Sequence, residues 1–224
     1  MESVASTTKD KILRFLIKRG FRGNRIKIQK DTFINYNNVR LRNCKIIVSG
    51  KNAVIDFGVN NVLFDCEIRI FGDNCRLELR EGNRMEKASL WQEDKVSSIS
   101  IGSRNRFTGS IELAVIEGTA LRIGDDNLFS RNIQISTGDS HSLIDLDKRK
   151  RINPSRDIIL NNHIWVGMHA TICKGVTIPD NVIVGRGSIL TRPLLEGNVA
   201  VAGIPAHIVK KNVDWEFERL PLSH

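Results

Sequence analysis

The stretch LNNHIWVGMHATICKGVTIPDNVIVGRGSIL, residues 160–190, decides the fold. Leu160, Val166, Ile172, Ile178, Val184 and Leu190 stand six apart and are all aliphatic. Four residues after each of the first five come Ile164, Ala170, Val176, Val182 and Ser188, again small or apolar. A helix with about 3.6 residues per turn would smear these positions around its surface. A lone strand would alternate by two. A chain that bends about every six residues satisfies the pattern: three short strands per coil, one aliphatic side chain inside each face, a hexapeptide parallel β-helix. Pro179-Asp180-Asn181 and Gly185-Arg186-Gly187 supply corners, because Gly and Asn tolerate positive φ.

The same register recurs upstream. Ile101, Phe107 and Leu113 step by six, and so do Ile123, Phe129 and Ile135. Between those blocks the phase slips by four residues, which predicts one enlarged corner. Corner pairs recur at Gly50/Asn52, Gly58/Asn61, Gly72/Asn74, Gly102/Asn105 and Gly124/Asn127. Residues 45–85 fit less cleanly, although Ile68/Ile70 and Leu77/Leu79 alternate as strand residues do.

The pattern divides the chain into residues 1–22, 23–206 and 207–224. Residues 8–19, with Ile12, Phe15, Leu16 and the Gly20 stop, read as a helical lid over the open first coil. Coils follow to about residue 137, with an irregular polar patch at Glu81–Ser98. Residues 138–157 leave the repeat altogether, and a long excursion in a tight stack is a candidate functional loop. Coils resume near 158 and end near 203. Trp215, Phe217 and Leu220 suggest a short amphipathic cap after them.

Composition narrows the class. With 224 residues and 41% hydrophobic content the chain is globular and long enough for one sizeable core. No apolar run is long enough to span a bilayer. Met1 to Asp10 is polar and lacks the apolar core of a signal peptide. Cys44, Cys66, Cys75 and Cys173 form no C-x-x-C pair and fall at small core positions, as reduced thiols of a cytoplasmic protein do. A net charge of +9 and a pI near 9.7 suit either ordinary solvation or a polyanionic partner. Lys148-Arg149-Lys150-Arg151 is the densest basic run; such short runs are common, and a nuclear-localisation role is not expected.

Of five histidines, His141 sits in the excursion beside Asp139 and Ser140. Gly138-Asp139-Ser140-His141, the extruded loop, Arg151-Ile152-Asn153-Pro154 and His163-Ile164-Trp165-Val166-Gly167 together resemble the hexapeptide-repeat O-acetyltransferases. The resemblance continues through Gly185-x-Gly187-Ser188-x-x-Thr191 to Ala202-Gly203-x-Pro205-Ala206, so it covers roughly residues 120–210. Within that family the chain looks most like enzymes that acetylate capsular or other bacterial surface polysaccharides, including sialic-acid polymers.

The resemblance implies a left-handed β-helix, a homotrimer with its cofactor groove between subunits, and acetyl-CoA as co-substrate with no metal. It implies that His141 is the general base, taking a proton from a sugar hydroxyl. An imidazole suits that task, with an ordinary pKa near 6.5. Asp139 is a candidate to orient the imidazole, in competition with Asp145, Asp147 and the main chain. Trp165 is implied near the acetyl group and acceptor, and His163 is expected to share its face. Gly167, Met168, Gly185, Arg186, Gly187 and Thr191 are implied along the CoA groove, largely through backbone groups, with Arg192 and Lys210 or Lys211 near the phosphates. Arg186 and Met168 depart from the small residues usual there. Lys148, Arg149, Lys150 and Arg151 are expected along the approach of an anionic acceptor, with no nucleic acid involved.

Two other classes fit the repeat less well. A γ-type carbonic anhydrase would need three zinc histidines, and His163 and His169 lack the spacing of five. A non-catalytic scaffold would need no extruded histidine loop. Among enzymes, the alternative acceptor is small: a nucleotide-activated amino sugar, a simple sugar or an antibiotic.

Overall fold

In the computed structural model, which describes residues 23–222, short parallel strands stack into a β-helix with three faces. The helix expected over 8–19 lies outside the described residues. The first face carries Lys45–Val48, Glu67–Ile70 and Ile133–Ser136. The second carries Val54–Phe57, Arg76–Leu79, Ser98–Ile101 and Ala120–Ile123. The third carries Val62–Phe64, Leu128–Phe129, Trp165–Val166 and Val182–Val184. Two long strands, Arg84–Gln92 and Arg106–Val115, run from the third face into the first. The patch expected to be irregular at 81–98 is therefore regular coil. Glu81, Glu86, Lys87, Glu93, Asp94 and Lys95 point outward, while Asn83, Gln92 and Ser97 are buried beside the core residues Met85, Ala88 and Leu90.

Register shows where the six-residue rule holds. On the first face Ile68, Leu90, Leu113, Ile135, Ile172 and Leu190 stack in one column. On the second, Leu79, Ile101, Ile123, Leu160 and Ile178 stack. On the third, Met85, Phe107, Phe129, Val166 and Val184 stack. From second face to third the step is always six (85 − 79, 107 − 101, 129 − 123, 166 − 160, 184 − 178). From third to first it is five once (90 − 85) and otherwise six.

All the large variation falls on the corner from first face to second. That step is 11 for Ile68 to Leu79 and Leu90 to Ile101, 10 for Leu113 to Ile123, 25 for Ile135 to Leu160 and 6 for Ile172 to Ile178. The four-residue slip is thus an enlarged corner repeated in coil after coil. The excursion at 138–157 is that same corner grown longer.

The column residues are all at most 4% exposed, and each contributes roughly 1.5–3 kcal/mol by leaving water. Phe107 and Phe129 stack in parallel with centroids 4.6 Å apart. In the lower stack, Asn61, Asn83, Asn105 and Asn127 form a buried ladder at the second-to-third corner. Each side-chain oxygen accepts the next rung's backbone N–H, from Asn83, Asn105, Asn127 and finally Ile164, at 2.7–2.9 Å. Their amide groups donate to corner carbonyls such as Gly102 and Gly124. Above Asn127 the ladder ends, and Ile164 and Val182 occupy the position with aliphatic side chains.

Cys44, Cys66 and Cys75 are buried free thiols, as expected of core positions, but Cys173 is only half-buried at a corner. Among the described residues no helix is long and apolar enough to cross a membrane.

Candidate active site

The excursion leaves the first face after Ile133–Ser136 and carries its own antiparallel hairpin, Ile144–Asp145 with Lys150–Arg151. The Asp145 carboxylate closes its turn by accepting from the N–H groups of Asp147 and Lys148 at 3.0 and 2.9 Å.

Its base is clamped from below and above. Below, Arg151 donates to Glu117 on the preceding coil's corner, and Glu117 also accepts from the Ser155 N–H at 3.1 Å. Those bonds, the Arg151 guanidinium foremost, hold the Glu117 carboxyl at about 2. Above, Lys174 on the next coil's corner donates to Asp139 and, at 3.2 Å, to the Asn153 carbonyl. Lys174 and then Asn153 keep the Asp139 carboxyl below the usual range.

Asn153, itself buried, ties the two ends of the excursion together. Its side-chain amide donates to the Asp139 carboxylate and the His141 carbonyl, both at 2.8 Å. Its oxygen accepts from the Leu143 N–H at 2.7 Å and Arg151 Nε at 3.0 Å. The His141 backbone is therefore fixed while its side chain stands exposed.

Two expected roles change here. The Asp139 carboxylate goes to Lys174 and Asn153 and makes no bond to the imidazole, so it anchors the loop. Arg151 is likewise taken by Glu117 and Asn153, and Lys148 lies 4.0 Å from the Asp145 carboxylate, which leaves Arg149 and Lys150 as the cations of the run with no ion pair among the described residues.

On the third face Trp165 pairs in register with Leu128 and Ile183 and is 39% exposed. It lines a groove of about 350 Å³ with Gly167, Met168, Ile183, Gly185 and Arg186, so five of the expected site residues meet. The glycines give this groove room rather than donors. The N–H groups of Gly167, Gly185 and Gly187 are spent on coil-to-coil bonds to Val184, Val201 and Met168, each 2.8 Å long. A Cβ on Gly167 would lie 2.8 Å from both the Arg186 nitrogen and the Val184 oxygen. Gly187 has φ +70° and open space where a Cβ would stand. Arg131, Thr108 and Ser130 also line this groove. Thr191 and Arg192 are exposed beyond the groove, and Lys211 pairs with Glu196 at 2.7 Å. Lys210 lies exposed on the final strand, opposite Ala200.

Around the same corner, on the first-face side, lies a second groove of about 530 Å³. Lys87, Ser89, Ser110, Glu112, Gln134 and His169 are among the residues that line it. His141 lines neither groove.

His163 does not share the Trp165 face. It occupies the left-handed second-to-third corner, with φ +55°, in line with Arg104, Asp126 and Asn181. There it stacks on Trp215 at 4.6 Å and exchanges hydrogen bonds with it, so its role is to hold the C-terminal segment.

No protein-family model matches the sequence. The chain is 33% identical over 185 residues to a polysialic acid O-acetyltransferase of Neisseria meningitidis, covering 81% of this chain and 84% of that protein. It belongs to the hexapeptide-repeat acetyltransferase family. A polysialic acid O-acetyltransferase of Escherichia coli O1:K1 is 32% identical over 121 residues, 54% of this chain but only 39% of that protein's length. The crystal structure of the polysialic acid O-acetyltransferase OatWY superposes with a TM-score of 0.70 at 30% identity, covering 89% of this chain and 90% of that one. Trp165, Gly167 and Gly185, named from contiguous motifs, meet in one groove, whereas His141 lines neither. Asn153 lay inside a quoted motif without a role, and Glu117 and Lys174 carried no signal. They stand 34 and 35 residues from their partners, and only coil stacking brings them together.

Proposed function

We propose that this protein transfers the acetyl group of acetyl-CoA to a hydroxyl of a sialic-acid-containing surface polysaccharide. The observation that carries this reading is the pair of grooves on either side of one corner, a glycine-lined channel and a trough of hydroxyl and amide side chains. The names of the Neisseria and Escherichia relatives support the acceptor class, and so does the charge of +9.

In the reaction the acceptor oxygen attacks the thioester carbonyl carbon while His141 takes its proton. The C–S bond breaks, CoA leaves as the thiol after receiving a proton, and a sugar acetyl ester remains. Trp165 borders the acetyl group, while Gly167, Gly185 and Gly187 admit the pantetheine and Arg186, Arg192 and Lys210 attract its phosphates. In the first-face trough, Ser89, Ser110 and Gln134 suit sugar hydroxyls and Lys87 suits a carboxylate. Lys148, Arg149 and Lys150 line the acceptor's approach.

A single chain leaves His141 out of both grooves, which supports a site completed between copies in a homotrimer. Cytoplasmic residence, beside the polysaccharide assembly machinery, follows from the need for acetyl-CoA. The test supplies labelled acetyl-CoA with sialic acid polymers, neutral capsular polysaccharides, nucleotide-activated amino sugars and simple sugars. Label is expected in the sialic acid polymers. Label confined to small sugars would overturn the acceptor assignment, and an active monomer in light scattering would overturn the trimer.

A further inference from the structure

On the third face of the lower stack, Arg84 and Arg106 are in-register partners on adjacent coils, which places them about 4.8 Å apart in the stacking direction. Arg40 continues the same column two coils below Arg84, with Val62 between. Like charges set directly opposite one another destabilise a sheet. Among the described residues neither Arg84 nor Arg106 has a carboxylate within ion-pair distance. The one contact of Arg106 is the Phe217 ring, 4.2 Å from its guanidinium.

These two arginines line a groove of about 430 Å³ with Arg104, Asp126, Trp215, Glu216 and Phe217, three guanidiniums against two carboxylates. Asp126 is not available to Arg84 or Arg106, because both its oxygens bond Arg104, at 2.7 and 2.6 Å. Phe217 remains 56% exposed. The Trp215 ring lies 6.3 Å from that of Trp165, so the groove runs up to the residue bordering the candidate transfer site.

Two guanidiniums outside any ion pair, beside two aromatic rings, form a surface for a chain of sugar rings bearing carboxylates. Arginine pairs with carboxylates through two parallel N–H···O bonds, and the rings pack against the apolar faces of the sugars. We propose that this groove is a second binding subsite for the anionic polysaccharide, gripping the chain away from the point of transfer and leading it toward Trp165. The inference rests on the reading that the acceptor is such a polymer.

The test uses a fluorescently labelled long sialic acid homopolymer, a sialic acid trisaccharide, and the full chain carrying Arg84→Gln with Arg106→Gln. Polymer affinity, measured by anisotropy without acetyl-CoA, is expected to fall about tenfold, the effect of roughly 1.4 kcal/mol. KM for the polymer should rise to match, while KM for the trisaccharide, KM for acetyl-CoA, kcat and the unfolding temperature stay put. The pair Arg84→Lys and Arg106→Lys should recover part of the affinity, and it serves as the readout if the glutamine variant fails to fold. Removing Arg25 and Lys27 instead should change polymer binding little, which separates this groove from a general charge effect. Unchanged polymer binding in either folded arginine variant overturns the subsite, as does a wild-type protein that does not bind the polymer. If the wild type binds polymer through these arginines yet acetylates none of it, the subsite stands and the acceptor assignment falls.

Discussion

The stack below the excursion and the stack above it obey one rule inside and different rules at the corners. Both place an apolar side chain at steps of six, once five, on the second-to-third and third-to-first corners. Below, the remaining corner carries four or five extra residues per coil, since its step is 10 or 11 against 6 above. Below, the Asn61–Asn127 ladder is buried at the second-to-third corner; above, Ile164 and Val182 take its place.

The difference separates two tasks. Tight coils let Gly167 and Gly185 bring successive turns close enough to form a narrow channel. Wide coils display longer and more varied polar surfaces, and most of the first-face trough and the arginine groove lies on them. Between the two stacks the enlarged corner becomes the excursion that presents His141.

The largest effect should come at that seam. His141→Ala is expected to lower turnover by roughly 10²–10⁴-fold, the range for a lost general base, with the unfolding midpoint unchanged. Near-wild-type rates in the purified variant would mean that the grown corner is architecture alone.

Next in size is the ladder. Asn105→Ala removes the acceptor for the Asn127 N–H and a donor to the Gly124 carbonyl, and should cost about 2–4 kcal/mol for groups left unpaired in the core. Ile164→Val, at the matching position above, should cost about 0.5–1.5 kcal/mol. Denaturant unfolding of both variants sharpens the comparison, and equal losses would remove the distinction between a polar and an apolar corner.

In the upper stack, Gly187→Ala places a methyl in open space at φ +70°. A left-handed L-residue costs about 1–2 kcal/mol, and a methyl beside Arg186, which lines the channel, should raise KM for acetyl-CoA severalfold while KM for the acceptor holds. A shift in the acceptor's KM instead would place the cofactor elsewhere.

The smallest effect concerns the clamp. Glu117 sits at about 2 in place of its ordinary 4.5, so its contribution is present above pH 4.5 and fades as pH falls toward 2. The lowered Asp139 carboxyl acts in the same direction. Pepsin cleavage within residues 143–152, relative to an unstructured peptide of the same sequence at each pH, should therefore quicken as pH drops across that window, and Glu117→Gln should show modestly faster loop cleavage by trypsin already at neutral pH. A variant whose loop is cut at the wild-type rate would show that hydrogen bonds alone hold the base of the excursion.

The sequence by itself determined the coil. Inward positions must be apolar wherever strands stack, so residues 160–190 display the period openly, and Gly or Asn marks corners because left-handed backbone favours them. It also named Trp165, Gly167, Met168, Gly185 and Arg186, which meet in one groove, since those lie in short contiguous motifs. Tertiary structure alone decided which corner absorbs the extra length, because a slip in phase does not say where the added residues bulge. It decided the partners of Asp139 and Arg151, the corner placement of His163, and the alignment of Arg84 with Arg106. The Arg151–Glu117, Asp139–Lys174 and Arg84–Arg106 contacts join residues a full coil or more apart, and their pairing depends on how many residues each corner holds rather than on any local pattern.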